Sequence, residues 1–195
     1  RVQQVSVHDA LGITFGTVTR AFLRHDPDVI LIGEIRDADT AREAVRAALT
    51  GRKVLSTLHT QDAIAAIPRL LELGVEPGLL AQTLTGVVAQ RLVRLRCKAC
   101  VGAGCGACGS SGESGRTVVS EVLTISVEVR AAIERRTSYA RLHSLVMAEG
   151  FSTMADDAAA LIDAGRIGAD EADRILGPLV SRAVARAAPV VETVA

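Results

Sequence analysis

Aromatic side chains are nearly missing from this chain: its 195 residues include three Phe, one Tyr and no Trp. Since 49% of the residues are hydrophobic, the core has to be packed from Ala, Val, Leu and Ile. Net charge is missing as well. The 22 basic residues are balanced by 22 acidic ones, so no long-range field draws the chain to DNA or to an anionic membrane. A local basic group, Arg91, Arg94 and Arg96, sits on what reads as an apolar helix end, which argues against a nucleic-acid partner. No apolar run approaches the ~20 residues of a membrane span, and no signal peptide is visible. The expectation is a soluble, cytoplasmic protein. A glycine-rich phosphate loop ending in Lys-Ser or Lys-Thr is also absent. Disulfide-framework spacing is lacking too, because all four cysteines fall between Cys97 and Cys108. Such clustering favours a reducing compartment and a metal.

What is present begins with Asp26-Pro-Asp-Val-Ile-Leu-Ile-Gly-Glu-Ile-Arg-Asp37. It reads as a short buried strand, Val29 to Ile32, that delivers Glu34, Arg36 and Asp37 to one edge of a sheet. A carboxylate at a strand tip can orient the water that attacks a γ-phosphate, while neighbouring acids hold magnesium through its water shell. A salt-bridged Glu34–Arg36 pair at a turn is the competing reading. Lys53 to Leu58 reads as a second strand, delivering Thr57, His59 and Thr60. A polar group there can sense a γ-phosphate.

Around these strands the helix signals alternate. Val2, Val5 and Val7 lie in a β-like stretch, and Thr14 to Arg24 is a helix candidate ending before Asp26-Pro27. Asp39 or Thr40 caps the next helix, with Ala41, Val45, Ala48 and Leu49 as its apolar stripe and Gly51 as its stop. Asp62 caps a helix ending near Gly74, with Pro68 expected to kink it or shift its start. Pro77 to Leu95 reads as one longer helix. Strand–helix–strand–helix order implies a parallel sheet with active groups at the carboxyl ends of the strands. Residues 97–115 break the pattern. Helices are then expected over Ser126–Arg136, Ser138–Glu149, Thr153–Ala164 and about Asp170–Leu176, followed by a frayed tail.

Cys97-x-x-Cys100-x4-Cys105-x-x-Cys108 has the form of two knuckles, each turning two thiolates to one side. Together Cys97, Cys100, Cys105 and Cys108 offer four sulfurs to a tetrahedral zinc that closes a structural site. An iron–sulfur cluster or a redox dithiol are the alternatives. Only Val101-Gly-Ala-Gly104 joins the pairs, and its two glycines help four residues reverse the chain.

Asp26–Asp37, then Thr50-Gly51 leading into Val54-Leu-Ser-Thr-Leu-His-Thr60, then Gly86-Val-Val-Ala-Gln-Arg-Leu-Val-Arg94, resemble the hexameric ATPases of type II secretion and type IV pilus assembly. Gly115-Arg-Thr-Val-Val-Ser-Glu-Val-Leu123 and Glu149-Gly-Phe-Ser-Thr-Met-Ala-Asp-Asp157 are similar to later segments of that family, so the likeness spans roughly residues 3–176. The resemblance implies an α/β fold: a partial RecA-like parallel-sheet ATPase core over residues 1–95, a zinc-knuckle insertion over 96–115, an α-helical subdomain over 116–178 and a tail over 179–195. It implies that Glu34 is the catalytic Walker B glutamate and His59 the second histidine of the histidine box. Arg20 and Arg24 match arginines on the helix before Walker B, where they contact phosphate, an adjacent subunit or only solvent.

The resemblance also implies ATP, Mg2+ and Zn2+ as ligands, and a homohexamer acting on an inner-membrane platform protein that moves a pilin-like filament. Three departures stand out. The family's phosphate loop and Asp box are expected upstream of Arg1, which marks this chain as a carboxyl-terminal part that is inactive alone. Arg52 and Lys53 replace the usual histidine and apolar residue. Pro68 interrupts a smooth helix. The competing class is a zinc-stabilised, non-catalytic interaction module built on the same scaffold.

Overall fold

The computed structural model describes residues 2–177; the tail expected over 179–195 lies outside the described residues. The chain divides into two compact units. The first holds residues up to Val87 together with Leu123–Glu149, and the second holds Val88–Val122 and the residues from Gly150 on.

In the first unit, Thr14 opens α1 (Phe15–Phe22) through a capping box with Thr17. The helix tightens into a 3-10 turn at Leu23–His25, and Asp26 turns the chain with φ of 48°. β1 (Val29–Ile32) follows, where β-branched residues favour extended backbone. It pairs in parallel with β2 (Lys53–Ser56), Val29 opposite Lys53 and Ile32 opposite Ser56. The expected parallel sheet is therefore present. Its first strand is buried on one face only: Ile30 and Ile32 are 3% exposed, whereas Val29 and Leu31 are 54% and 73% exposed. The exposed residues front an open groove of about 850 Å³ whose other wall includes Val2–Val7, Phe15 and Val18.

The β-like stretch at Val2, Val5 and Val7 is not a strand. A single bridge, His8 to Ile13, is the pairing nearby. Alternation alone does not make a strand without a partner edge.

Between the strands, α2 (Ala38–Leu49) is capped by Asp37 rather than Asp39 or Thr40. Its buried stripe is Ala41, Ala44 and Ala47, while Leu49 is exposed. Small alanines let the helix lie close against its neighbours. Pro68 does shift the next helix: α3 is Ala66–Glu72, with proline in its first turn where its missing N–H costs nothing. Asp62 instead caps the turn before it, accepting from Ala65 N at 2.7 Å.

The longer helix expected over Pro77 to Leu95 does not exist. α4 (Pro77–Thr83) stops at Leu84, and β3 (Gly86–Arg96) takes over. Ala89 and Val93 point inward while Val88, Gln90, Leu92 and Arg94 point outward, the two-residue period of a strand. Arg91, Arg94 and Arg96 thus lie on a strand, not on a helix end. The partner of β3 is a second unexpected strand, β4 (Glu113–Thr124). Hydrogen bonds from Ile125 N to Thr85 O and from Cys97 N to Gly112 O close the two ends of an antiparallel hairpin. The region after residue 115 is therefore not wholly helical, as expected, but opens with a strand.

Back in the first unit, α5 (Val127–Glu134) and α6 (Tyr139–Ala148) follow, and α5 packs on α4. Val129, Ile133, Leu142 and Val146 are fully buried there. In the second unit, α7 (Met154–Asp163) and α8 (Ala169–Leu176) cover the inward hairpin face, where Val93, Val119, Ala158, Ile167 and Ala172 form a small core. Thr153 and Asp156 form a capping box at α7, and Asp157 accepts from Ser120 N of β4 at 2.8 Å. The Glu149–Asp157 motif therefore has a positional role in the fold.

Candidate functional site

Both parallel strands end at the same edge, and the residues following them meet there. Ile35 N donates to Thr57 O at 2.9 Å, and Thr57 Oγ1 donates to Gly33 O at 2.7 Å. This clasp holds the two strand tips in register. It puts Glu34 Oε2 at 3.2 Å from His59 Nε2, while Glu34 Oε1 faces Arg36 Nη1 at 3.5 Å. His59 is largely exposed, with 84% of its side chain open, and Glu34 is about one-third exposed. Under this edge lies Phe15, whose ring approaches Gly33 and carries the Arg36 guanidinium at 5.8 Å from its centroid. Glu34, Arg36 and His59 therefore form one cluster.

The other nominated residues lie around it. Asp37 uses both oxygens at the start of α2, accepting from Thr40 N at 2.8 Å and Thr40 Oγ1 at 3.0 Å. Arg20 reaches from α1 to the buried Glu43 of α2 at 3.1 Å and to Asp39 at 3.6 Å. Arg24 is exposed in the 3-10 turn. Arg52 pairs with Asp26 at 2.6 Å, at the opposite end of the strands from His59. That is a strand's length away, on the order of 13 Å for four residues.

Tyr139 was not nominated from sequence. From α6 its hydroxyl donates to Asp62 Oδ2 at 2.8 Å, bracing the loop that carries His59 and Thr60. A lone tyrosine 77 positions further along gives no local signal for such a contact.

The second cluster is the cysteines, all free. Their four sulfurs lie within 4.8 Å of one another. Cys97 to Cys105 is 4.0 Å, and Cys100 to Cys108 and Cys105 to Cys108 are each 3.8 Å. Four sulfurs about 2.3 Å from a tetrahedral zinc stand roughly 3.8 Å apart, so the cluster has the dimensions to hold such an ion. The two knuckles differ electrostatically. The Cys105 backbone amide holds the Cys108 thiol down to about 6, with Gly112 N assisting. Burial pushes Cys100 up to about 11, against amide donation from Gly102 and Gly104.

A third cluster fastens α8 to the hairpin. Glu171 accepts from Arg174 at 2.7 Å and from Arg94 Nη2 at 3.0 Å, and Arg94 N also donates to it at 2.8 Å. Arg174 first, then Arg94, hold the Glu171 carboxyl down to about 2.

Comparison with known proteins shows the family of the chain. The family described as "Type II/IV secretion system protein" matches residues 1–174. The chain belongs to this family. It is 42% identical over 182 residues to the type II secretion system protein HxcR of Pseudomonas aeruginosa, covering 89% of this chain and 39% of that protein. It is 39% identical over 183 residues to the type IV pilus assembly ATPase PilB of Thermus thermophilus, covering 80% and 21% respectively. Among solved structures, the pilus retraction motor PilT with bound ADP superposes with a TM-score of 0.65 at 31% identity, over 83% of this chain and 43% of that one. The Legionella pneumophila ATPase DotB gives 0.64 at 26%, over 84% and 42%. The chain thus spans about two fifths of the length of HxcR and of these two structures, and about a fifth of PilB. Among the described residues no helix is long and apolar enough to cross a membrane.

Proposed function

We propose that this secretion-family chain is the carboxyl-terminal portion of a hexameric ATPase that powers type II secretion or type IV pilus assembly. The observation that carries the proposal is Glu34 at the carboxyl end of β1, within 3.2 Å of His59 beyond the adjacent parallel strand. In open α/β sheets this edge is where ligands bind. With ATP as substrate, Glu34 accepts a hydrogen bond from the attacking water and orients it. His59 competes for the same carboxylate oxygen and turns toward the γ-phosphate when nucleotide is present. Arg36, held over Phe15, places positive charge beside both. Mg2+ would supply charge neutralisation for the phosphates. Asp37 is the acid offered for that task, through waters, while its direct bonds remain those of the α2 cap.

Arg20 and Arg24 are offered as contacts to phosphate or to an adjacent subunit of the ring. The cysteine cluster is read as a Zn2+ site that cross-links the end of the hairpin. The working location is the cytoplasmic side of the inner membrane, reached through a platform protein, with no nucleic-acid partner.

Joined behind a segment bearing a GxxGxGK[ST] loop, the chain is expected to support magnesium-dependent ATP hydrolysis. Glu34→Gln is then expected to lower kcat about 100-fold or more while ATP still binds. Alone it is expected to show no turnover, because no lysine-bearing phosphate loop stands in its sequence. A second reading, a zinc-stabilised non-catalytic module, is favoured by the state of the acids: one Glu34 oxygen faces the Arg36 guanidinium and the other the His59 ring, while both Asp37 oxygens cap a helix. A joined protein that folds, binds ATP and stays inactive would select that reading.

A further inference from the structure

We propose that Gly104 and Gly112 are positioning residues of the cysteine site, aiming the Cys100 and Cys108 sulfurs at one ion and letting the two knuckles close on each other. The inference rests on reading the cluster as a zinc site. It adds two residues that are not ligands, one of them four positions beyond the last cysteine.

The geometry is specific. Gly104 N donates to Cys100 Sγ at 3.2 Å, and Gly112 N donates to Cys108 Sγ at 3.3 Å. Cys105 N adds a second bond to Cys108 Sγ at 3.2 Å. Gly112 also works from its other side, since its carbonyl accepts from Cys97 N at 2.8 Å. One residue thus fastens the first cysteine and the last.

Amide donors matter because four thiolates around a divalent ion leave a net charge of minus two. Hydrogen bonds to an ionised acceptor are stronger than neutral ones and offset part of that charge. Neither position tolerates a side chain. Gly104 has φ of +88°, and a Cβ there would stand 2.8 Å from Ser110 O. Gly112 has φ of +74°, and a Cβ there would overlap Gly102 O. The knuckles approach through backbone, and backbone cannot rotate away as a side chain can.

Gly109 is the internal control. It shares the left-handed conformation, φ of +59°, but a Cβ there meets nothing within 4 Å. Zinc affinity would be measured on the full chain by competition with a chromophoric chelator. Gly104→Ala and Gly112→Ala are expected to weaken binding about 10- to 100-fold, the usual cost of losing support around metal ligands. Gly109→Ala is expected to stay within about fivefold, reflecting conformational strain alone. Loading the unaltered chain with 113Cd gives a readout that does not depend on any variant folding. Scalar coupling to the metal is expected at the amide protons of Gly104, Cys105 and Gly112.

If the unaltered chain takes up no metal, the zinc reading falls and this inference falls with it. If it binds metal tightly but Gly112→Ala behaves as Gly109→Ala does, only the positioning role is overturned. Absence of cadmium coupling at Gly104 and Gly112 in the loaded protein overturns it equally.

Discussion

Glu171 shows at the residue scale how a buried charge is held in place. Its side chain is 3% exposed, yet it stays ionised because Arg94 and Arg174 reach it from two elements. Its carboxyl titrates at about 2 instead of the ordinary 4.5. A carboxylate whose value is lowered by folding contributes stability above its unfolded value and loses it as pH falls through the folded one. The contribution is therefore complete above about pH 4.5 and gone near pH 2. Both arginines are about half exposed, so screening limits it to roughly 1–2 kcal/mol. Urea unfolding of the chain and of Glu171→Gln should give a stability gap at pH 6 that narrows steadily below pH 4.5. A gap that does not change with pH would mean the arginines contribute nothing through charge. The Arg174 pair, three positions on, is legible locally, but the link to the hairpin is not, because Arg94 is 77 positions away. Glu34 and His59 stand out as candidates because each comes shortly after a strand signal. Phe15 and Tyr139 do not, since what they do depends on where distant segments fold.

Elements were read well where the chain carries its own punctuation. The bounds expected for β1, from a run of aliphatic residues after Pro27, are the observed ones, and those for α5 to α8, from capping residues and glycine stops, lie within two residues of the observed ends. β3 resembles a helix in the sequence for a physical reason. Pro77 starts a genuine helix, and the apolar residues that follow fit a helical stripe almost as well as an alternating one. Gly86, Val87 and Val88 are the residues that break the tie, because glycine and β-branched side chains disfavour helix. β4 carries a weak strand signal because Ser114, Gly115 and Arg116 open it with little apolar character. The alternation of β3 gives a direct test. Val93 is fully buried among α7 and α8 residues, while its neighbour Leu92 is 56% exposed. Val93→Ala is expected to cost about 1–3 kcal/mol, and Leu92→Ala less than about 0.5 kcal/mol. Denaturant midpoints would check both, and equal losses would contradict the strand register.

At the scale of the molecule, the order of elements in sequence is not their order in space. The chain leaves its first unit at Val87, builds the hairpin and cysteine segment, returns to the first unit over Leu123–Glu149, and leaves again for α7 and α8. Along the chain the two units therefore alternate rather than follow one another. The cysteines lie wholly in the second unit, whose core among the described residues centres on five fully buried apolar residues. A core that small gains proportionally more from a cross-link than a large one does. Cys97 is also wired into that unit through its neighbour, since Arg96 N donates to Arg166 O at 2.8 Å beside α7. On the proposed reading of the cysteine cluster as a zinc site, removing the ion should therefore loosen the second unit and leave the first unchanged. Hydrogen exchange before and after chelation is the measurement. Amides of β3 beyond Val88, β4, α7 and α8 are expected to lose protection, while those of β1, α2 and α5 keep theirs. Cys105→Ser should reproduce the pattern without a chelator. Uniform loss of protection would mean the units unfold as one, and no loss anywhere would mean that the ion contributes nothing to folding.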